Sequence, residues 1–275
     1  MLLGYNTNGL QNHRLDDALR VLADHGYRAV ALTLDVAHLD PFRCTTAEID
    51  RIAALLVKLD LSVSVETGAR FLLDPDVKHE PTLMTADAAG RARRLAFYAR
   101  AAEIAAAVGA RVLSFWSGID RAQGPDSAQR LVDGVRQSCQ SIRAQGLEPA
   151  FEPEPGMAVA TVGDFERLTA ALGADAPALT LDIGHLYVNE ERDPLALCRE
   201  FAPRAAQVHL EDVRRGVHEH LPPGEGDVDF PGVFAALADG GYAGPVCFEL
   251  SRDSHRAPDC LSRCAATFAT ARIGR

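Results

Sequence analysis

Eight times along the chain a short run of apolar and β-branched residues gives way to a longer segment with helical apolar spacing, and this alternation restricts the fold more than any other feature. Parallel strands need a crossover between them, usually a helix, so repeated strand–helix units point to a parallel sheet covered by helices. The strand-like runs fall at 2–7, 29–34, 62–66, 111–115, 147–151, 178–182, 205–210 and 246–250. Helical spacing occupies 15–25, 46–59, 86–108, 127–144, 162–172, 194–201, 230–238 and 258–273. A doubly wound sheet usually has fewer strands, whereas eight units close into a barrel. The expectation is one (β/α)8 barrel spanning residues 1–275 as a single domain, with no linker or internal repeat beyond the strand–helix rhythm.

Local punctuation agrees with this segmentation. Gly26, Gly109 and Gly146 stand where helical spacing stops, as C-terminal glycines do. Thr46 is placed to cap the second helix, and Pro194 occupies a favoured first-turn position. Residues 67–85, with Pro75 and Pro81, make a long connection after the third strand, and such loops are commonly lids or binding loops. The sixth strand ends abruptly in Asp182, Gly184 and His185, with Gly184 expected to allow a tight exit.

Composition excludes several classes. A net charge of −10 argues against a nucleic-acid surface, because phosphate neutralisation supplies most non-specific affinity. No apolar run reaches the roughly 18 residues needed to span a bilayer, and Met-Leu-Leu-Gly-Tyr-Asn has neither the basic start nor the apolar centre of a signal peptide. A cytoplasmic location and a small-molecule partner are expected, with homo-oligomerisation left open. The six cysteines contain no C-x-x-C pair and no complete zinc set, so they read as buried or reduced thiols.

Four strand-like runs end in residues that are costly in a core: Glu152, Asp182, His209 and Glu249. In a barrel these belong to strands 5, 6, 7 and 8, neighbours around the rim where active sites lie. Three carboxylates facing one another repel unless a cation joins them. Three oxygen ligands and one imidazole suit one divalent ion, Mn, Mg or Co better than zinc. Taken singly, each residue could equally be a satisfied strand-end cap.

The segments Phe151-Glu152-Pro-Glu-Pro-Gly, Leu181-Asp182-Ile-Gly-His185, Val208-His209-Leu-Glu-Asp212, Gly224-Glu-Gly-Asp-Val-Asp-Phe230 and Cys247-Phe248-Glu249-Leu resemble the sugar phosphate isomerase/epimerase branch of the xylose isomerase-like TIM barrels. That branch is similar to tagatose 3-epimerase and distantly related to endonuclease IV. The resemblance implies that Glu152, Asp182, His209 and Glu249 bind the ion, and that Glu152 and Glu249 also move protons. It implies further that His185 and Arg215 contact a sugar-like substrate, although Arg214 beside Arg215 competes for that role.

Asn6, Asn8, Glu66 and Trp116, also at strand ends, are expected to face the substrate, Trp116 as an apolar wall or else as core. The epimerases usually carry another glutamate soon after the strand-5 ligand; here Glu154 follows by two residues and position 158 is Ala. His218 and His220 form an H-x-H pair that could hold a second metal, as an Asp-x-His pair does in the endonuclease branch. The histidines that branch needs on strands 3 and 4 are replaced by Glu66 and Trp116-Ser117. No phosphate-binding glycine loop is present, while Arg252, His255 and Arg256 could hold an acidic substrate group.

The expected activity is isomerisation or epimerisation of a sugar or polyol-derived ketone through an enediolate. The alternatives are a dehydratase of the inosose or dehydroshikimate type on the same scaffold, or a metabolite-binding barrel with little turnover.

Overall fold

Strands adjacent in the chain pair with one another all the way round, and β1 pairs with β8, so the sheet closes as an eight-stranded parallel barrel. The computed structural model describes residues 1–273. The first half contains β1 (Leu2–Asn6), α1 (Leu15–Asp24), β2 (Ala29–Thr33), α2 (Thr46–Lys58), β3 (Ser62–Glu66), α3 (Ala88–Ala107), β4 (Val112–Phe115) and α4 (Ser127–Ala144). The second contains β5 (Glu148–Phe151), α5 (Val162–Leu172), β6 (Ala178–Asp182), α6 (Ile183–Asn189), α7 (Pro194–Phe201), β7 (Ala205–Leu210), α8 (Phe230–Asp239), β8 (Pro245–Phe248) and α9 (Ala257–Ile273). Among the described residues no helix is long and apolar enough to cross a membrane, and all six cysteines are free.

The strands are buried on both faces, which explains why they read as continuous apolar runs. On the outer side, Tyr98, Phe115, Phe151 and Phe165 form a chain of ring contacts with centroids 5.3, 5.4 and 6.3 Å apart, locking α3 and α5 onto β4 and β5. In the core, the hydroxyls of Ser114 on β4 and Thr180 on β6 satisfy each other at 2.7 Å.

Three local features differ from the sequence reading. Helix α2 is capped by Thr45 rather than Thr46: Thr45 Oγ1 accepts from the Glu48 N–H at 3.3 Å, and the Glu48 carboxylate accepts from the Thr45 N–H at 2.8 Å. That reciprocal box requires the glutamate three residues after the cap. Helix α6 was not expected; it starts directly off β6, with Asp182 accepting the His185 N–H at 2.9 Å. Two turns are too short for periodicity to register. Gly184 lies inside this helix and is not among the positive-φ residues. It is needed for closeness, since a Cβ there would overlap the Glu211 carboxylate.

The connection between β3 and α3 is tied down by a buried arginine. Arg94 is 2% exposed; its Nε donates to Pro81 O at 2.7 Å and its Nη2 to His79 O at 2.9 Å. Its guanidinium lies 5.1 Å from the Trp116 ring and 5.5 Å from Tyr98. Two carbonyls and aromatic faces offset the cost of burying the charge. The loop closes on itself where the His79 N–H donates to Arg70 O at 2.7 Å.

Two predictions follow from this loop. Arg94→Met should lower the unfolding free energy by about 2–4 kcal/mol, because two loop carbonyls lose their donor; unchanged urea unfolding would contradict the anchoring role. Burial, then the charges of Lys78, Arg94 and Arg70, lower His79 to about 3. The unfolded chain, with an ordinary histidine, takes up a proton near pH 6.5 that the folded chain refuses until about pH 3. Stability should therefore fall as pH drops from 6.5 toward 4, and His79→Gln should flatten that slope by up to about one proton. Identical slopes in thermal unfolding of the two proteins would refute this.

Candidate metal centre

Side chains from four consecutive strand ends meet at one point of the barrel rim. Glu152 follows β5, Asp182 ends β6, His209 lies on β7 and Glu249 follows β8; one ligand atom from each lies within 4.8 Å of the others. The register places Asp182 beside His209, and His209 beside Cys247, two residues before Glu249. His209 Nδ1 is 3.0 Å from Glu152 Oε1 and 3.1 Å from Glu249 Oε2. Asp182 Oδ1 accepts the His185 N–H, but its buried Oδ2 has no hydrogen-bond partner. Three carboxylates gathered out of water, one with an orphaned oxygen, fit a divalent cation.

A supporting layer orients these groups. Asn6 Nδ2 donates to Glu249 Oε2 at 3.0 Å, and Asn8 Nδ2 to Glu249 Oε1 at 2.8 Å. The amide nitrogens of Gln207 and Asn6 both face His209 Nε2, that of Asn6 at 3.3 Å, and Gln207 Oε1 is buried with no partner. With amide donors at Nε2, the nitrogen that faces the two carboxylates, Nδ1, carries a proton toward them as the structure stands. Gln207 was not singled out in the sequence, yet it stands two residues before His209 on one strand, on the same face.

The acidic groups titrate differently. Burial raises Glu152, and His209 partly opposes the rise. Burial pushes Glu249 up too, but its hydrogen bond to His209, the imidazolium charge and the Asn8 donor together hold it below the usual carboxylate range. Burial, reinforced by Glu249, raises Glu66 to about 7 against hydrogen bonds from Thr33 and the Gly68 N–H. Burial carries Glu154 to about 8.

Above the centre opens a cavity of about 160 Å³, lined by Glu66, Trp116, Glu152, Glu154, His185, His218, His220 and Glu249 among others. His185 Nδ1 donates to Pro153 O at 2.9 Å and Nε2 lies 3.7 Å from Asp182 Oδ2; burial lowers its pKa, but the charges of Asp182, Glu152 and Glu154 outweigh this and raise it above the ordinary value. The ring of His218 is 5.1 Å from that of His185 and 5.4 Å from that of His220, and His220 Nδ1 is 3.1 Å from Glu249 O. Among the described residues, the groupings able to hold an ion are the four rim residues and a trio of Asp182, His185 and Glu211; His218 and His220 belong to neither. Asn6 is fully buried behind Glu249 and does not line the cavity, whereas Asn8 does. Arg215 is outside it: the residue is exposed, its guanidinium 5.6 Å from the Tyr187 ring.

Glu211 escaped the sequence reading. It is fully buried, and burial followed by the charge of Asp182 beside it, with a side-chain hydrogen bond to that residue, raises its pKa well above the ordinary value. The available signal was its position two residues after His209.

Comparison with known proteins matches this geometry to a family. The model of the xylose isomerase-like TIM barrel matches residues 19–268. The inosose dehydratase of Lacticaseibacillus casei is 27% identical over 149 residues, covering 48% of this chain and 50% of that protein. The chain thus spans about half the length of the curated relatives it matches. The crystal structure of D-allulose 3-epimerase from Methylomonas sp. superposes with a TM-score of 0.78 at 17% identity, covering 98% of each chain. D-Psicose 3-epimerase from Clostridium cellulolyticum H10, solved with D-tagatose, gives 0.79 at 16% identity, covering 99% of each. By its sequence match and its closed parallel barrel, this chain belongs to the xylose isomerase-like TIM barrel family.

Proposed function

We propose that this protein is a divalent-metal-dependent isomerase or epimerase of a sugar or polyol-derived ketone, working by transfer of a carbon-bound proton through an enediolate. The observation that carries the reading is the approach of Glu152 and Glu249, from strands with two others between them, to the same His209 nitrogen at 3.0 and 3.1 Å. Glu152, Asp182, His209 and Glu249 would hold the ion, and Mn, Mg or Co suits this oxygen-rich set. When bound, such an ion polarises a carbonyl and offsets the negative charge that develops on deprotonation.

The protein's own groups supply the rest. One glutamate takes the proton from the carbon beside the carbonyl, and the other returns one. Asn6 and Asn8 hold the Glu249 carboxylate in place. His185 would hydrogen-bond a substrate oxygen, Glu66 and Glu154 would bond further hydroxyls, and Trp116 would cover an apolar face of the sugar. His218 and His220, on the cavity wall, would contact substrate.

A second reading is supported by the inosose dehydratase relatives: the same base abstracts the proton, but water leaves from the β-carbon. Incubating the Mn- or Co-loaded protein with a ketose panel in D2O separates the two. Isomerase action predicts deuterium at the carbon next to the carbonyl with no enone absorbance. Glu249→Gln should slow exchange by about 10²–10⁴-fold, and a chelator should abolish it. A growing enone band would favour dehydration; bound sugar without exchange in the metal-loaded protein would contradict both.

A further inference from the structure

The chain is acidic overall and the floor of its cavity is carboxylate, yet the cavity mouth is cationic. Arg70, Lys78 and Arg252 all line it, and among the described residues none of the three makes an ion pair with a carboxylate. Other basic side chains nearby are neutralised. Arg256, a residue the sequence offered for an acidic group, meets Asp253 at 2.7 Å and Glu225 at 3.7 Å instead.

The fold brings the three cations together from two loops. The His79 N–H bond to Arg70 O, at 2.7 Å, pinches the loop after β3, and Arg70 and Lys78 from that loop both line the cavity. Arg70 Nη2 donates to Ser251 Oγ at 3.0 Å, which joins that loop to the one after β8 beside Arg252. Burial lowers the Lys78 pKa; Glu154 opposes this, and Arg70 and Arg252 add to the lowering. Like charges gathered together repel, and a bound anion offsets that repulsion. The same wall holds His79, 7% exposed, whose Nδ1 has no hydrogen-bond partner.

We infer that the substrate carries an anionic group, a phosphate or a carboxylate, at the end remote from the metal centre, and that Arg70, Lys78 and Arg252 hold it with His79 at their side. The inference rests on the isomerase reading for the reacting end of the molecule and adds the class of substrate. Guanidinium forks and an ammonium suit tetrahedral and planar oxyanions alike, so either group satisfies this chemistry.

Calorimetric titration of the Mn-loaded protein with inorganic phosphate, a free ketohexose, its 6-phosphate and the corresponding ketouronate tests the inference without relying on turnover. At low salt at least one anionic ketose should bind about tenfold or more tighter than the neutral one, and whichever anion wins identifies the group. The ratio should fall toward one in the triple variant Arg70→Gln, Lys78→Gln, Arg252→Gln, and in the wild type at high salt, a measurement that needs no substitution. Equal binding of neutral and anionic ketoses, failure of phosphate and both anionic ketoses to bind, or an advantage that survives both treatments would overturn it. If free ketoses exchange a proton with no benefit from charge, this inference fails and the isomerase reading stands. If anions bind by this pattern but no ketose exchanges, the isomerase reading fails alone.

Discussion

Three carboxylates converge with one imidazole on a water-poor rim, and the surrounding architecture can be understood as support for that electrostatic strain. Uncompensated, Glu152, Asp182 and Glu249 repel one another, and a low-dielectric setting makes both repulsion and compensation stronger than in water. The barrel supplies the rigidity to hold them, because each stands at the end of a strand buried on both faces. Hydrogen bonds from Asn6 and Asn8 fix Glu249, Gln207 backs His209, and the first turn of α6 takes one oxygen of Asp182 while leaving the other free. The layer behind the rim spends its polar groups on direction, which is what the proposed centre would require of its ligands.

The cavity above this rim is divided by charge. Carboxylates and histidines form its base, and the loops after β3 and β8 bring cations to its mouth. The division follows from the fold: strand ends are fixed and deep, while loops reach over them. Arg94 is the hinge between the two layers, since it holds the loop carbonyls of His79 and Pro81 and packs against Trp116 on the wall. A substrate spanning the cavity would meet the reacting groups at one end and the recognition groups at the other.

Much of this was legible in the sequence because it is local. Strand–helix alternation is a short-range pattern, and strands β3, β5, β6, β7 and β8 fall where apolar runs meet an acidic residue. The four rim residues were legible for the same reason: an abrupt polar residue after an apolar run marks a strand end, and consecutive strand ends are neighbours in a barrel. What escaped depends on loop paths and side-chain packing. Helix α6 is too short to show a period. Gln207 lies on β7 two residues before His209 and Glu211 just past the strand two residues after it, but what each touches is set by packing. Arg215 is at the expected chain position, yet its side chain turns out over Tyr187. Arg70 and Lys78 look like ordinary surface charges until the loop is folded.

The central claim is that positions 152, 182, 209 and 249 hold one divalent cation through three carboxylates and one imidazole nitrogen. Pulsed electron paramagnetic resonance of the Mn-loaded protein, with metal content measured on the same sample, tests it most directly. The account predicts retained Mn with ¹⁴N coupling that disappears in His209→Ala. Mn that does not stay bound, or a nitrogen coupling that persists unchanged in that variant, would contradict it.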